Sequence, residues 1–463
     1  MQTNRPDWSA LMPILPEQGP RARAIYAALR QRIEEGALPS GTKLPPTRDL
    51  AARLGVARGA VVAAFEMLAA EGFTEAKVGS GTFVAEAVPC LVPAGPAPVP
   101  PVFVARDLPG DLGLGFPDPQ SLDRLRAILA RVLARPPAAL FHYGDPQGDA
   151  TLRAEVAAYL RAARGVRLDP AQVVITTGAQ GALDLVARAV LAPGDPVWME
   201  NPGYPSAKAA FAAQRLVPVP VDDEGLDVAA GRVLCAGARA AYVTPSHQFP
   251  LGVVLTMRRR LALLDWAAEA GAWVVEDDYD SEFRFAGPPL AAMQGMDGRG
   301  RVIYVGTFSK ALMPGLRLGY MVLPEPLLAP VIALRGRADR APSALTQAAM
   351  AEFLAAGHFA QHLKRARRRV RAARDALVSE LAAAGHRVRI PEQGLHLVVA
   401  LSDTADDLRL AGLARAAGLG ARSLSAMSMQ PDGRKGLVIG FSGHEPETLA
   451  AAVRRGLAAA GLT

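Results

Sequence analysis

Apolar positions change their period along the chain, and the changes mark out its elements. Ile25, Ala28, Leu29 and Ile33 recur at helical spacing until Gly36 stops the run, which predicts a helix over residues 25–35. A second helix, TRDLAARL, is expected from about Pro46 to the turn at Gly55 and Val56, and a third from about Arg58 to Glu71. Residues 73–84 include KVGSGTFV, whose glycines suit a tight turn, so they predict a two-stranded ribbon. Helix, turn, helix and ribbon together make a winged helix-turn-helix, mainly α with a small β wing. Farther on, short apolar runs at residues 173–176, 197–200, 241–244, 273–276 and 302–305 alternate with Ala/Leu-rich helical stretches. That alternation implies an α/β domain with a largely parallel sheet.

Between the two patterns lies VPCLVPAGPAPVPP, residues 88–101, whose six prolines forbid a regular helix or an interior strand. Proline at this density favours an extended, semi-rigid spacer. The expected organisation is an N-terminal arm (1–20), a winged domain (21–86), a linker (87–108) and an α/β domain (109–463) with a small C-terminal α/β subdomain. A chain of 463 residues exceeds what one core holds. Composition excludes a membrane span: 21% of residues are charged and no long apolar run occurs. Residues 1–20 lack the apolar stretch of a secretion signal, so a cytoplasmic protein is expected. Cys90 and Cys235 are the only cysteines and form no CxxC motif, so two reduced thiols and no metal centre are expected. A net charge of +7 permits contact with a polyanion without identifying one.

The densest candidate chemistry is GTFSKALMPGLRLG, residues 306–319, directly after the run at 302–305. Thr307, Ser309, Lys310 and, seven positions later, Arg317 can bring one amine and several phosphate ligands into a single pocket. Some thirty residues earlier, EDDYDSE (276–282) ends a strand in carboxylates. VITTGAQGAL (174–183) reads as strand, glycine turn and helix start, which leaves backbone NH groups free for a phosphate.

These motifs carry two resemblances. GALPSGTKLPPTRDLAARLGVARGAV, with LAAEGF and GSGTFV after it, is similar to the winged domain of the GntR family of regulators. The resemblance implies binding to a double-stranded DNA operator through Arg48, Arg58, Lys77, Gly79, Ser80 and Gly81. Ala57 and Gly59 depart from it, standing where the family usually has hydroxyl side chains. Residues 306–319 resemble the lysine motif of fold-type I aminotransferases, which use pyridoxal 5'-phosphate. By that likeness Lys310 forms the Schiff base, and Thr307, Ser309, Arg317, Gly178, Ala179 and Gln180 hold the phosphate. Asp277 faces the pyridine nitrogen, Tyr279 the ring hydroxyl, and Tyr204 stacks on the ring. Tyr143 reaches the phosphate of a neighbouring subunit.

The combination resembles the MocR subfamily. It implies a transcription regulator that senses a small amine or amino acid, or pyridoxal phosphate itself, through an aldimine at Lys310. It also implies a domain-swapped, head-to-tail homodimer without physiological turnover. The alternative is a catalytically active aminotransferase with an appended DNA-binding domain. Val438 stands where such an enzyme carries the arginine that grips a substrate carboxylate, with Arg422, Arg434 and Lys435 as candidate replacements. TPSHQFPLG (244–252) offers His247 or Gln248 as further contacts to cofactor or effector.

Overall fold

The computed structural model describes residues 20–77, 79–86, 108–112, 118–287 and 290–463. The chain divides into two compact units, Met1–Ala105 and Arg106–Thr463. The expected arm up to residue 19, and the linker up to residue 107 with Cys90, lie outside the described residues.

The first unit contains helices α1 (Arg21–Glu34), α2 (Thr47–Leu54) and α3 (Arg58–Ala70), then strands β1 (Thr74–Lys77) and β2 (Gly81–Val84). Ile25, Leu29 and Ile33 form one face of α1 and pack with Leu50, Val61, Phe65 and Leu68. Phe73 and Val84 close this core beneath the ribbon. Gly55 ends α2 in the left-handed conformation at φ 62°, which a Cβ would oppose, so the chain can turn at once into α3.

In the second unit the five predicted strands are found, most of them a residue or two longer. They join three others in one sheet: β3 (Val173–Thr176), β4 (Pro196–Asn201), β5 (Arg215–Asp222), β6 (Gly225–Leu226), β7 (Ala240–Val243), β8 (Trp273–Asp278), β9 (Val302–Thr307) and β10 (Gly319–Val322). The order is β3-β10-β9-β8-β7-β4-β5-β6. Strands β9, β8, β7, β4 and β5 run parallel. β10 lies antiparallel between β3 and β9. Helices cover both faces, so the central strands are continuous apolar runs rather than alternating ones. The carboxyl ends of parallel strands form the natural ligand crevice of such a sheet. Here β8 ends at Asp278 and β9 at Thr307, which delivers Asp277 and Lys310 to the same edge.

A smaller antiparallel sheet completes the unit: β11 (His396–Leu401), β12 (Arg422–Ser423) and β13 (Lys435–Gly440), in the order β11-β13-β12. Helices His358–Ala383 and Pro446–Ala460 back it through Leu377, Leu381, Leu449 and Val453. Among the described residues no helix is long and apolar enough to cross a membrane.

Trp198 of β4 stacks on Trp266 with ring centroids 3.8 Å apart, fully buried under the helix Val228–Cys235. Gly231 of that helix lies so close that a Cβ there would sit 2.9 Å from the Trp198 ring. Overpacking costs about 1–3 kcal/mol, against roughly 0.5–1 kcal/mol gained by alanine over glycine in a helix. Gly231→Ala is therefore expected to lower the denaturation midpoint of this unit, read by urea unfolding followed through tryptophan fluorescence.

Candidate functional site

Two surfaces carry the predicted chemistry. In the winged unit Arg48 and Arg58 are exposed at the starts of α2 and α3. Nε of Arg58 donates to Thr47 Oγ1 at 3.2 Å, which orients the guanidinium across the inter-helix turn. Ala57 caps α3 without a side-chain bond, so NH groups at that end stay open. Gly79, at φ 73°, Ser80 and Gly81 are exposed at the ribbon tip. Lys77 extends beside them, 3.0 Å from Glu75 and over the ring of Phe83. Lys43, which the motif reading did not single out, bridges to Phe83 and adds a cation at the wing.

In the second unit one cavity of about 340 Å³ gathers Ala179, Gln180, Tyr204, Asp277, Tyr279, Thr307, Ser309, Lys310, Arg317 and Arg422. Gly178, at φ 84°, caps the helix Ala179–Ala189 without a side chain, and a Cβ there would lie 3.7 Å from the Arg317 guanidinium, so the helix N-terminus and the guanidinium stand side by side. Arg317 is anchored by donating to Thr177 O at 3.0 Å. Thr307 Oγ1 accepts from the Ser309 NH at 3.1 Å, and the buried Ser309 hydroxyl has no partner. A helix N-terminus, an arginine and open hydroxyls suit a phosphate.

At the far end of this arrangement Asp277 is buried. Its Oδ2 accepts from Tyr242 at 2.7 Å, while its Oδ1 has no partner. Burial pushes its carboxyl up to about 7, against the hydrogen bond from Tyr242 and the attraction of Lys310. An unpaired buried carboxylate oxygen is costly, and an NH⁺ group facing it relieves the cost. Lys310 is itself mostly buried, which holds its pKa below the ordinary lysine range. Arg422 and Arg317 push the same way, and Asp277 opposes them. A lowered amine pKa raises the share of nucleophilic, neutral amine. These features fit pyridoxal phosphate: a phosphate cradle, an amine for the aldehyde, an acceptor for the ring nitrogen and Tyr204 for the ring face.

A model of bacterial regulatory proteins of the gntR family matches residues 21–84, and one of aminotransferase class I and II matches residues 113–455. The probable rhizopine catabolism regulatory protein MocR of Rhizobium meliloti is 37% identical, over 93% of this chain and 92% of that protein. The HTH-type pyridoxine biosynthesis transcriptional regulator PdxR of Corynebacterium glutamicum is 35% identical, over 91% and 92%. The chain belongs to the MocR subfamily of GntR regulators. Its aminotransferase-like unit is also similar to the solved Pyrococcus horikoshii kynurenine aminotransferase, at a TM-score of 0.70 and 28% identity, covering 77% of this chain and 91% of that one. Enzymes of this fold depend on pyridoxal phosphate.

Within this MocR-type chain several predicted residues lie elsewhere than the motifs suggested. His247 and Gln248 do not line the cavity. Gln248 braces the backbone, donating to Pro202 O and Phe249 O. His247 sits behind Tyr279, with Nδ1 2.8 Å from Asp280 and its carbonyl accepting from the Tyr279 hydroxyl at 2.9 Å. The loop turns both side chains away from the pocket and presents Phe249 instead. Tyr143, expected at the phosphate of a neighbouring subunit rather than in this cavity, is 78% exposed with Arg340 over its ring. Arg434 donates to Val221 O, and Lys435 lies 4.0 Å from Asp407, so of the three candidate replacements only Arg422 reaches the cavity.

Tyr242, His396 and Met427 join the lining without having been singled out. An aromatic at the end of β7, beside the strand that carries Asp277, was the available signal for Tyr242. His247, Asp280 and His396 place three potential metal-ligating atoms within 4.8 Å. Two hydrogen bonds run through this cluster, His247 Nδ1 to Asp280 and His396 Nε2 to Pro250 O, and the buried His247 Nε2 has no partner among the described residues.

An acid whose folded pKa, about 7, exceeds its ordinary 3.8 binds a proton more tightly in the folded state. Asp277 therefore destabilises the cofactor-free fold increasingly as pH rises through that window. Asp277→Asn removes the effect. The melting-temperature difference between variant and parent, followed from about pH 4 to about pH 8, is expected to move in the variant's favour and to level off above about 7.

Proposed function

We propose that this protein is a transcription regulator whose aminotransferase-like unit holds pyridoxal phosphate through Lys310 and senses a small amine or amino acid, or the cofactor itself. The carrying observation is the unpartnered Oδ1 of buried Asp277 in the same cavity as the mostly buried Lys310. When bound, pyridoxal phosphate supplies an aldehyde that combines with primary amines. Lys310 would provide the resident amine. Asp277 would hold the proton on the ring nitrogen, Tyr279 would meet the ring hydroxyl and Tyr204 the ring face, and Thr307, Ser309, Arg317 and the NH groups of Gly178, Ala179 and Gln180 would hold the phosphate.

Val438 is fully buried and apolar where an aminotransferase grips its substrate carboxylate, which weighs against efficient turnover and favours sensing. On the DNA side, Arg48, Arg58, Lys77, Gly79, Ser80 and Gly81 contact a double-stranded operator. Tyr143 belongs to the cofactor site of a second copy in a head-to-tail, domain-swapped homodimer. Its exposure together with the neighbouring Phe141, 74% exposed, supports that reading. The expected setting is the cytoplasm, where DNA and amine pools meet. For regulation, the ligand must favour one arrangement of the chain over another.

The test is an absorption spectrum of protein purified with pyridoxal phosphate, before and after borohydride, combined with operator binding. A near-visible band trapped by reduction is expected in the parent, and in Lys310→Ala the trapped adduct and the effect of added amine on DNA binding are both expected to vanish. Amine-responsive DNA binding that persists in Lys310→Ala would refute the proposal. Arg58→Ala is expected to weaken binding to all sequences alike and to flatten the dependence of log affinity on log salt by about one unit. A loss confined to one base-pair position would instead mark Arg58 as a base reader.

A further inference from the structure

Tyr279 and Asp280 follow directly on β8, and both meet one side chain outside the cavity, that of His247. His247 Nδ1 lies 2.8 Å from Asp280 Oδ2 and 3.1 Å from the Tyr279 hydroxyl, and His247 O accepts from that hydroxyl at 2.9 Å. The His247 and Asp280 side chains are 2% and 1% exposed. A ring nitrogen that faces a buried carboxylate carries its hydrogen toward it, so Nδ1 donates to Asp280. Nδ1 is then closed to the Tyr279 hydrogen, which is left to the His247 carbonyl. The phenol oxygen is thereby fixed at the cavity wall, which Tyr279 lines.

The His247 ring is gripped as closely as its nitrogen. A Cβ on Gly252, at φ 73°, would lie 3.1 Å from Nε2, and a Cβ on Gly394, at φ 90°, would collide with the Cε1 and Nδ1 edge. Gly394 is kept there by donating its NH to Phe283 O at 2.8 Å. His396 packs on the same ring, with centroids 4.7 Å apart. Yet Nε2 has no partner among the described residues. Leaving a buried nitrogen unpaired costs about 1–3 kcal/mol, which an apolar side chain in the same slot would avoid. Packing alone does not account for a histidine here.

We infer that His247, oriented by Asp280, is a positioning residue for Tyr279, holding its hydroxyl where the ring hydroxyl of pyridoxal phosphate meets it. Neither His247 nor Asp280 lines the cavity, so Asp280 acts through the hydrogen on Nδ1 and His247 acts through Tyr279. A phenol ordered in advance removes its ordering cost from cofactor binding. This rests on the pyridoxal phosphate reading above, and the experiment separates the two.

Pyridoxal phosphate is titrated into the cofactor-free full chain, its dissociation constant read from the near-visible band and the fold checked by the melting temperature before cofactor is added. His247→Leu is expected to weaken binding about 3- to 10-fold, and Asp280→Asn to weaken it in the same direction by about 2-fold or more. His247→Asn, which keeps a donor near the place of Nδ1, is expected to restore most of the loss. In a Tyr279→Phe background, itself weaker than the parent, His247→Leu and Asp280→Asn are expected to add almost nothing further. Should His247→Leu fail to fold, Asp280→Asn with and without Tyr279→Phe carries the same comparison. Unchanged affinity in both single variants, or a full loss that persists beside Tyr279→Phe, overturns the inference while cofactor binding stands. If the parent forms no near-visible band, the cofactor reading fails and the inference falls with it.

Discussion

The second unit is organised around one buried oxygen. Asp277 sits at the end of a strand with apolar walls on both sides, one oxygen bonded to Tyr242 and the other to nothing. A protein fold gains nothing from such an arrangement, because desolvation outweighs the hydrogen bond from Tyr242 and the attraction of Lys310. The parallel sheet makes it tolerable. β8 and β7 hold Asp277 and Tyr242 side by side, β9 carries the chain on to Lys310, and β10, running antiparallel, brings Arg317 back under the start of the helix Ala179–Ala189. Strain of this kind at a strand end is characteristic of a site built for something that arrives later.

The winged unit follows a different economy. Its core is a few aliphatic side chains from three helices closed by Phe73 and Val84, and its cations remain at the surface. Two of them have weak partners: Arg58 touches a hydroxyl, and Lys77 pairs with one exposed glutamate. Exposed pairs of this type contribute little to stability and yield readily to a stronger anion. The bare N-terminus of α3 behind Ala57 adds open backbone NH groups to this surface.

Much of this was legible in the residues. Spacing alone delivered the three N-terminal helices, the ribbon and the five core strands, since a buried parallel strand reads as a short apolar run. The lysine and acidic motifs located Lys310, Arg317 and Asp277 because each is local: a strand, its end, and the next few residues. What escaped depended on neighbours distant in sequence. Tyr242 matters through the strand beside it, and which of the three candidate cations reaches the cavity was decided by the register that sets Arg422 beside Val438. His247 and Gln248 were misjudged because a loop's residue types do not encode which way its side chains turn. Gln248 is committed to backbone carbonyls and His247 to Asp280.

The cavity takes its walls from two separate sheets. Asp277, Thr307 and Lys310 come from the large one, while His396 and Arg422 stand on the small one. The site therefore exists only where the small sheet is docked on the large one, and any change in that packing changes the distance between Arg422 and Asp277, and with it the shape of the cavity.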